Sequence, residues 1–290
     1  MADFGRLLTA MVTPFDDKGE LSLERTTALV EYLIEHQTEG LVVAGTTGES
    51  PTLSKDEKLK LFEHVVKVVD GRIPVIVGTG SNNTAESVEF SRKAEALGVD
   101  GIMIVAPYYN KPNQEGLYQH FKTIAESINV PVMIYNIPGR SSVNITAETI
   151  IRLSEIDNIT SVKEASGNLD QMAAIIRGTS DDFILYSGDD GLTLPVLSIG
   201  GHGVISVASH VIGDGMSNMI QDFLSGNHED AAKQHLKYLP VMRELFAAPS
   251  PVPVKALLSQ VGVETGPVRL PMVDLTEEEK SSLTKIFKEL

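Results

Sequence analysis

The chain contains no cysteine. That absence excludes a disulfide framework, thiol catalysis and a thiolate metal site, and it fits a reducing cytoplasm. Basic residues are in short supply: 24 Lys and Arg stand against 39 Asp and Glu, leaving a net charge of −15. Such a surface repels phosphate backbones and anionic lipid, so no nucleic-acid or membrane partner is expected. Long hydrophobic runs are also missing. The apolar stretches, such as GLVVAG and IPVIVG, are too short to span a bilayer. The N-terminal MADFGRLLTAMVTPF lacks the basic region and long apolar run of a secretory signal. The expectation is a soluble, cytoplasmic protein. Nucleotide-binding signatures are wanting too: GTGSNN at 78–83 lacks the third glycine of GxGxxG and the GK[ST] ending of a phosphate loop. None of the seven histidines sits in HExxH, and His202 and His210 lack an obvious third ligand, so no metal site is expected.

What is present is a rhythm. The 290 residues suffice for one large or two ordinary domains. Eight short runs rich in Val, Ile and Leu occur at 7–12, 40–45, 74–80, 101–107, 131–136, 159–165, 183–188 and 203–209. Stretches of helical period separate them, at 24–37, 54–69, 84–97, 114–127, 146–155, 168–178 and 189–199, with another at 211–225. Continuous apolar runs suit strands covered on both faces, as in parallel sheets. Eight strand–helix units favour a closed (β/α)8 TIM barrel over an open doubly wound sheet. The expected division is a catalytic barrel over 1–225 and a helical C-terminal extension over 226–290. Helices are expected in the extension at 228–246, 251–262 and 276–288, with prolines between them.

One stretch stands out. Residues 159–168 read ITSVKEASGN, an apolar strand that finishes on Lys163. A lysine in a partly dry pocket loses affinity for its proton and becomes nucleophilic. Taken alone, Lys163 also reads as a surface residue paired with Glu164. In a barrel, chemistry sits at the C-terminal strand ends. Those ends carry GTTGES (45–50), APYYNKP (106–112), YNIPGR (135–140), SGDD (187–190) and SVASH (206–210). Each residue has a plainer alternative: Thr46 and Thr47 as helix caps (though Ser54 is the better N-cap), Tyr108, Tyr109 and Tyr135 as packing, Arg140 as surface. The acidic pairs, Asp189–Asp190 among them, read as loop and helix-start markers. Convergence on one mouth gives the set its weight. A neutral lysine condenses with a ketone to an imine, and tyrosine and threonine hydroxyls relay the protons without a fixed charge beside the amine. Threonine hydroxyls, backbone N–H groups and arginine suit a substrate carboxylate.

With GTTGES, PYYNKP, YNIPGR and VKEASGN, and with Lys163 following Tyr135 by 28 residues, the chain resembles the dihydrodipicolinate synthase family over nearly its whole length. That family lies within the class I pyruvate-dependent aldolases that include N-acetylneuraminate lyase. The resemblance implies a lysine Schiff base with pyruvate at Lys163 and proton transfer by Tyr135. Thr46 would link Tyr135 to Tyr109, and Tyr109 would cross a tight dimer interface into the neighbouring subunit. It further implies pyruvate carboxylate binding by Thr47 and the Ile205 backbone, and an Arg140 grip on the carboxylate of L-aspartate-4-semialdehyde. No dissociable cofactor is implied, and the protein's partners are its small substrates and further copies of itself, as a homodimer or homotetramer. The alternative is another pyruvate-dependent aldolase acting on N-acetylneuraminate or a keto-deoxy sugar acid. Thr46–Thr47 and Arg140 favour the synthase, because the lyase typically carries Ser-Thr in that motif and lacks the arginine. One departure concerns regulation. Lysine-inhibited members carry histidines and an alanine where this chain has Pro51, Lys55 and Lys58, although Asn82, Glu86 and Tyr108 do match. Weak or absent feedback by L-lysine is expected.

Overall fold

The computed structural model describes residues 3–290. Its eight parallel strands are β1 (Leu7–Ala10), β2 (Gly40–Val43), β3 (Val75–Gly78), β4 (Gly101–Val105), β5 (Val132–Asn136), β6 (Ile159–Glu164), β7 (Ile184–Ser187) and β8 (Gly203–Ser206). They close in sequence order, and β8 pairs back onto β1 through Leu7↔Val204 to Thr9↔Ser206. The expected TIM barrel is present, and so is the helical C-terminal part. The strands are buried nearly end to end because side chains fill the barrel on one face and helices cover the other.

The covering helices are α1 (Leu23–Glu35), α2 (Lys55–Val69), α3 (Thr84–Glu95) and α4 (Gln114–Ala125), then α5 (Pro138–Ser141), α6 (Ala147–Leu153), α7 (Leu169–Gly178), α8 (Thr193–Ser198) and α9 (Ser209–Leu224). Their starts follow local chemistry. Ser54 caps α2 in a capping box with Glu57, and Asn83, Asn113 and Asn168 cap α3, α4 and α7. Thr46 and Thr47 therefore do not cap a helix. Several strands are shorter than their apolar runs. β2 stops at Val43 because Ala44 takes a left-handed φ of 50°, while Met11, whose N–H still donates to the Val42 carbonyl at 3.0 Å, and Val12 continue β1's burial past its end. The stretch at 189–199 is not one helix. Residues 190–192 form a 3-10 turn, Asp189 accepts the Gly191 N–H at 2.9 Å, and α8 starts afresh at Thr193. The four-residue α5, with Pro138 at its first position and Arg140 in its last turn, is too short to carry a helical period that the sequence could display.

Beyond α9 come α10 (His228–Glu244), α11 (Val252–Gln260) and α12 (Glu277–Lys288). α10 packs on α9 and α12, and α11 packs on α9 and α12. Val241, Leu245, Val254, Leu257 and Leu258 are fully buried and join the barrel's apolar cluster. No helix among the described residues is long and apolar enough to cross a membrane.

Candidate active site

The register of β5 against β6 builds the centre of the site. Tyr135 lies opposite Lys163, and Asn136 lies opposite Glu164. Successive residues of a strand point to opposite faces. Lys163 and Tyr135 thus share one face, with the Lys163 amine 4.5 Å from the centre of the Tyr135 ring. Lys163 is only 5% exposed. Burial pulls its pKa down to about 8, the Asp190 carboxylate opposes that fall, and the Arg140 charge adds to it. Burial likewise pushes the Tyr135 hydroxyl up to about 12, with the Thr46 hydroxyl and the Arg140 charge drawing it partway back. At neutral pH the pair is a phenol with its proton and an amine that sheds its own with little cost.

Glu164 does not pair with Lys163. Its carboxylate accepts from the Asn136 amide at 2.9 Å, the Gln171 amide at 3.1 Å and the Ser166 N–H at 2.7 Å. Asn136 in turn reaches Asn144 at 2.8 Å. This network locks the outer faces of β5 and β6 at the residues that follow Tyr135 and Lys163, so the inner pair inherits a fixed register. On the open side, Gly188 makes room for the lysine: a Cβ there would lie 3.2 Å from both Lys163 Cγ and Cε, and 2.7 Å from Ala165 Cβ.

Thr46 and Thr47 follow β2 in a loop that Gly78 and Gly48 allow to pack closely. A Cβ on Gly78 would stand 2.5 Å from the Ala44 carbonyl oxygen, and one on Gly48 would stand 2.9 Å from Ala44 Cα. Thr46 is half-buried and Thr47 is buried. Thr46, Tyr135 and Arg140 line one cavity of 470 Å³, together with Lys55, Lys58 and Tyr108. Lys163, Thr47 and Ile205 do not line it. Ile205 lies buried in β8 opposite Leu8. Arg140, on α5, is exposed at the mouth. Tyr109 stands apart: it is 89% exposed, adopts a left-handed φ of 73°, and takes no part in that cavity. Within a single chain the structure therefore gathers Lys163, Tyr135, Thr46 and Arg140, and leaves Tyr109 pointing into solvent.

Asp190 is the residue that sequence reasoning passed over. It is 2% exposed, and one carboxylate oxygen accepts the Val207 and Ala208 N–H groups at 3.1 and 2.9 Å. The other oxygen has no hydrogen-bond partner of good geometry among the described residues. Burial raises its pKa, and the Ser206 hydroxyl, followed by those two N–H groups, holds the rise back. It is the carboxylate whose charge Lys163 feels most. A buried acid at the end of β7, beside a buried amine, is the only signal that could have found it, and burial is not written in SGDD.

Comparison with known proteins identifies the family. The model of the dihydrodipicolinate synthetase family matches residues 3–290. A 4-hydroxy-tetrahydrodipicolinate synthase of Halalkalibacterium halodurans is 60% identical over 288 residues, covering 99% of each chain. The crystal structure of a dihydrodipicolinate synthase from Bacillus anthracis superposes with a TM-score of 0.99 at 55% identity, over 100% of this chain and 99% of that one. That of the Cyanidioschyzon merolae enzyme, solved with lysine bound, gives 0.97 at 47% identity, over 99% and 98%. The chain, matched along its described length and carrying the buried lysine beside its tyrosine, belongs to the dihydrodipicolinate synthetase family.

Proposed function

We propose that the chain is a 4-hydroxy-tetrahydrodipicolinate synthase, which condenses pyruvate with L-aspartate-4-semialdehyde in lysine and diaminopimelate biosynthesis. The observation that carries the chemistry is the buried Lys163 amine, with a pKa of about 8, lying 4.5 Å from the ring of a protonated Tyr135. Close relatives of the same name over the whole chain carry the choice of substrates.

The neutral Lys163 amine attacks the ketone carbon of pyruvate, and its extra proton passes through Tyr135 to the carbinolamine oxygen. Loss of water leaves the imine. Removal of a methyl proton then gives an enamine, whose carbon attacks the aldehyde carbon of the semialdehyde while the aldehyde oxygen takes up a proton. Hydrolysis of the imine frees the lysine. Tyr135 suits the shuttle because its hydroxyl remains a donor at neutral pH. Thr46 lies beside it and connects it to Tyr109 of a second copy; the exposure and left-handed backbone of Tyr109 suit a residue that completes a neighbour's site. Thr47 and the Ile205 backbone receive the pyruvate carboxylate. Arg140, at the mouth, receives the carboxylate of the semialdehyde in the paired geometry that a guanidinium offers. The enzyme works in the cytoplasm as a homodimer or homotetramer. The test is pyruvate consumption with aspartate semialdehyde and N-acetylmannosamine in parallel. Turnover confined to the semialdehyde is expected; turnover with the sugar would overturn the substrate while retaining the imine.

A further inference from the structure

Two residues after Thr47, the backbone does something costly. Glu49 sits in the left-handed region with φ 53° and ψ 35°, a conformation that an L side chain adopts only when its surroundings impose it. Its N–H donates to the Thr46 carbonyl at 3.1 Å, so its conformation is tied directly to the threonine. Its side chain is buried, and what surrounds it comes from the other end of the chain. Lys255 of α11 places its amine 2.7 Å from one carboxylate oxygen, with both side chains under 5% exposed. The Arg269 backbone N–H donates to the other oxygen at 2.9 Å.

The cations are themselves held. Lys255 donates to the Pro267 carbonyl at 3.0 Å and lies 4.4 Å from the centre of the Phe15 ring. Arg269 stacks over the same ring at 4.2 Å, binds the Glu57 carboxylate at 2.6 Å, and donates to the Thr52 carbonyl at 2.9 Å. The near side of the loop is fixed by the Thr13 hydroxyl, which donates to the Gly48 carbonyl at 2.7 Å. A buried ion pair is a poor way to gain stability, since apolar fill of the same volume usually does as well. What a charged pair adds is direction, and this one is directed at the loop that carries both threonines.

We propose that the C-terminal extension sets the threonine loop for catalysis through this contact: Lys255 is a positioning residue that acts through Glu49 on Thr46 and Thr47. The extension is then part of the working site although none of its residues faces the reacting atoms. The kinetic half of this proposal rests on the reaction proposed above, and the structural half does not.

The test uses the full-length protein with Lys255→Met, and with Lys255→Met combined with Glu49→Gln, which keeps the volume and removes both charges should the single variant fail to fold. Amide hydrogen exchange is followed over 44–50 and, as a control, over the β5 and β6 strands. Exchange over 44–50 rises on the order of tenfold while β5 and β6 stay at the wild-type rate. In the folded variant the KM for pyruvate rises and kcat falls, each about tenfold, as expected for displaced threonines. The KM for the semialdehyde stays within about twofold, because Arg140 sits on α5, after β5, away from the threonine loop. Unchanged exchange over 44–50, or an equal rise throughout the barrel, overturns the proposal whatever the enzyme's substrates are. Localised exchange with unchanged pyruvate kinetics in an active wild-type background overturns the link to catalysis. A wild type that turns over neither acceptor refutes the proposed reaction instead, and the exchange measurement still decides the clamp.

Discussion

Lys163 should make the protein less stable than it could be. An unfolded chain holds the lysine proton up to a pKa near 10.4, whereas the folded chain releases it at about 8. Below pH 8 both states carry the charge, and the folded state bears the full cost of burying it. Between those two values the unfolded state binds the extra proton, so stability rises with pH across the window and levels off above it. A gap of about 2.4 between the pKa values corresponds to about 3 kcal/mol. Lys163→Met keeps the length of the side chain and removes the charge. Asp190 then loses its cationic neighbour, which trims the gain to about 1–3 kcal/mol. For a chain of this size that raises Tm by roughly 2–6 °C. The assay is thermal unfolding of wild type and Lys163→Met at matched protein concentration, at pH 7.5 and pH 10, with activity measured alongside. The methionine variant should be inactive, more stable at pH 7.5, and nearly level with wild type at pH 10. A variant that is less stable at pH 7.5, or an advantage that ignores pH, would show that the lysine is a structural residue and refute the reasoning.

Other outcomes follow from the same geometry. Arg140→Ala should leave borohydride trapping of pyruvate intact and raise the semialdehyde KM by about 10–100-fold, the scale of a lost charged hydrogen-bond pair; lost trapping would mean that Arg140 organises the lysine. Tyr135→Phe should lower kcat by about 10²–10⁴-fold, the usual contribution of a positioned proton donor, and stopped-flow imine formation should slow with it. Tyr109→Ala should cost activity although the residue is exposed in the single chain, and mixing it with inactive Lys163→Met protein under subunit exchange should restore part of the lost turnover. L-lysine up to the millimolar range should inhibit weakly or not at all. Lys55 and Lys58 line the cavity, and burial together with the Lys55 charge already depresses the Lys58 pKa, so a further cation is unwelcome; inhibition at micromolar lysine would sink this expectation.

The barrel was legible because its strands are covered on both faces and so read as unbroken apolar runs, from LLTA to GVIS. Lys163 was legible for the opposite reason: an amine at the end of such a run breaks the pattern. The limits of legibility were equally physical. The run at 189–199 hid the change from a 3-10 turn to α8, because Leu192 at the end of the turn packs against the core, as Val196 and Leu197 of α8 do. Asp190 read as a loop marker, since the two N–H groups that accommodate its burial come from Val207 and Ala208, just past the end of β8. Glu49 looked like one more letter of GTTGES. Its donor at Arg269 is 220 residues away, a separation at which no local pattern carries information.

The most direct test of the central claim is mass spectrometry of the protein after incubation with pyruvate and borohydride, with proteolytic mapping of the modified site. The account predicts one reduced pyruvate adduct per chain, on the peptide containing Lys163, and none on Lys163→Met. An unmodified protein, or an adduct on Lys58 or Lys255 instead, would contradict it.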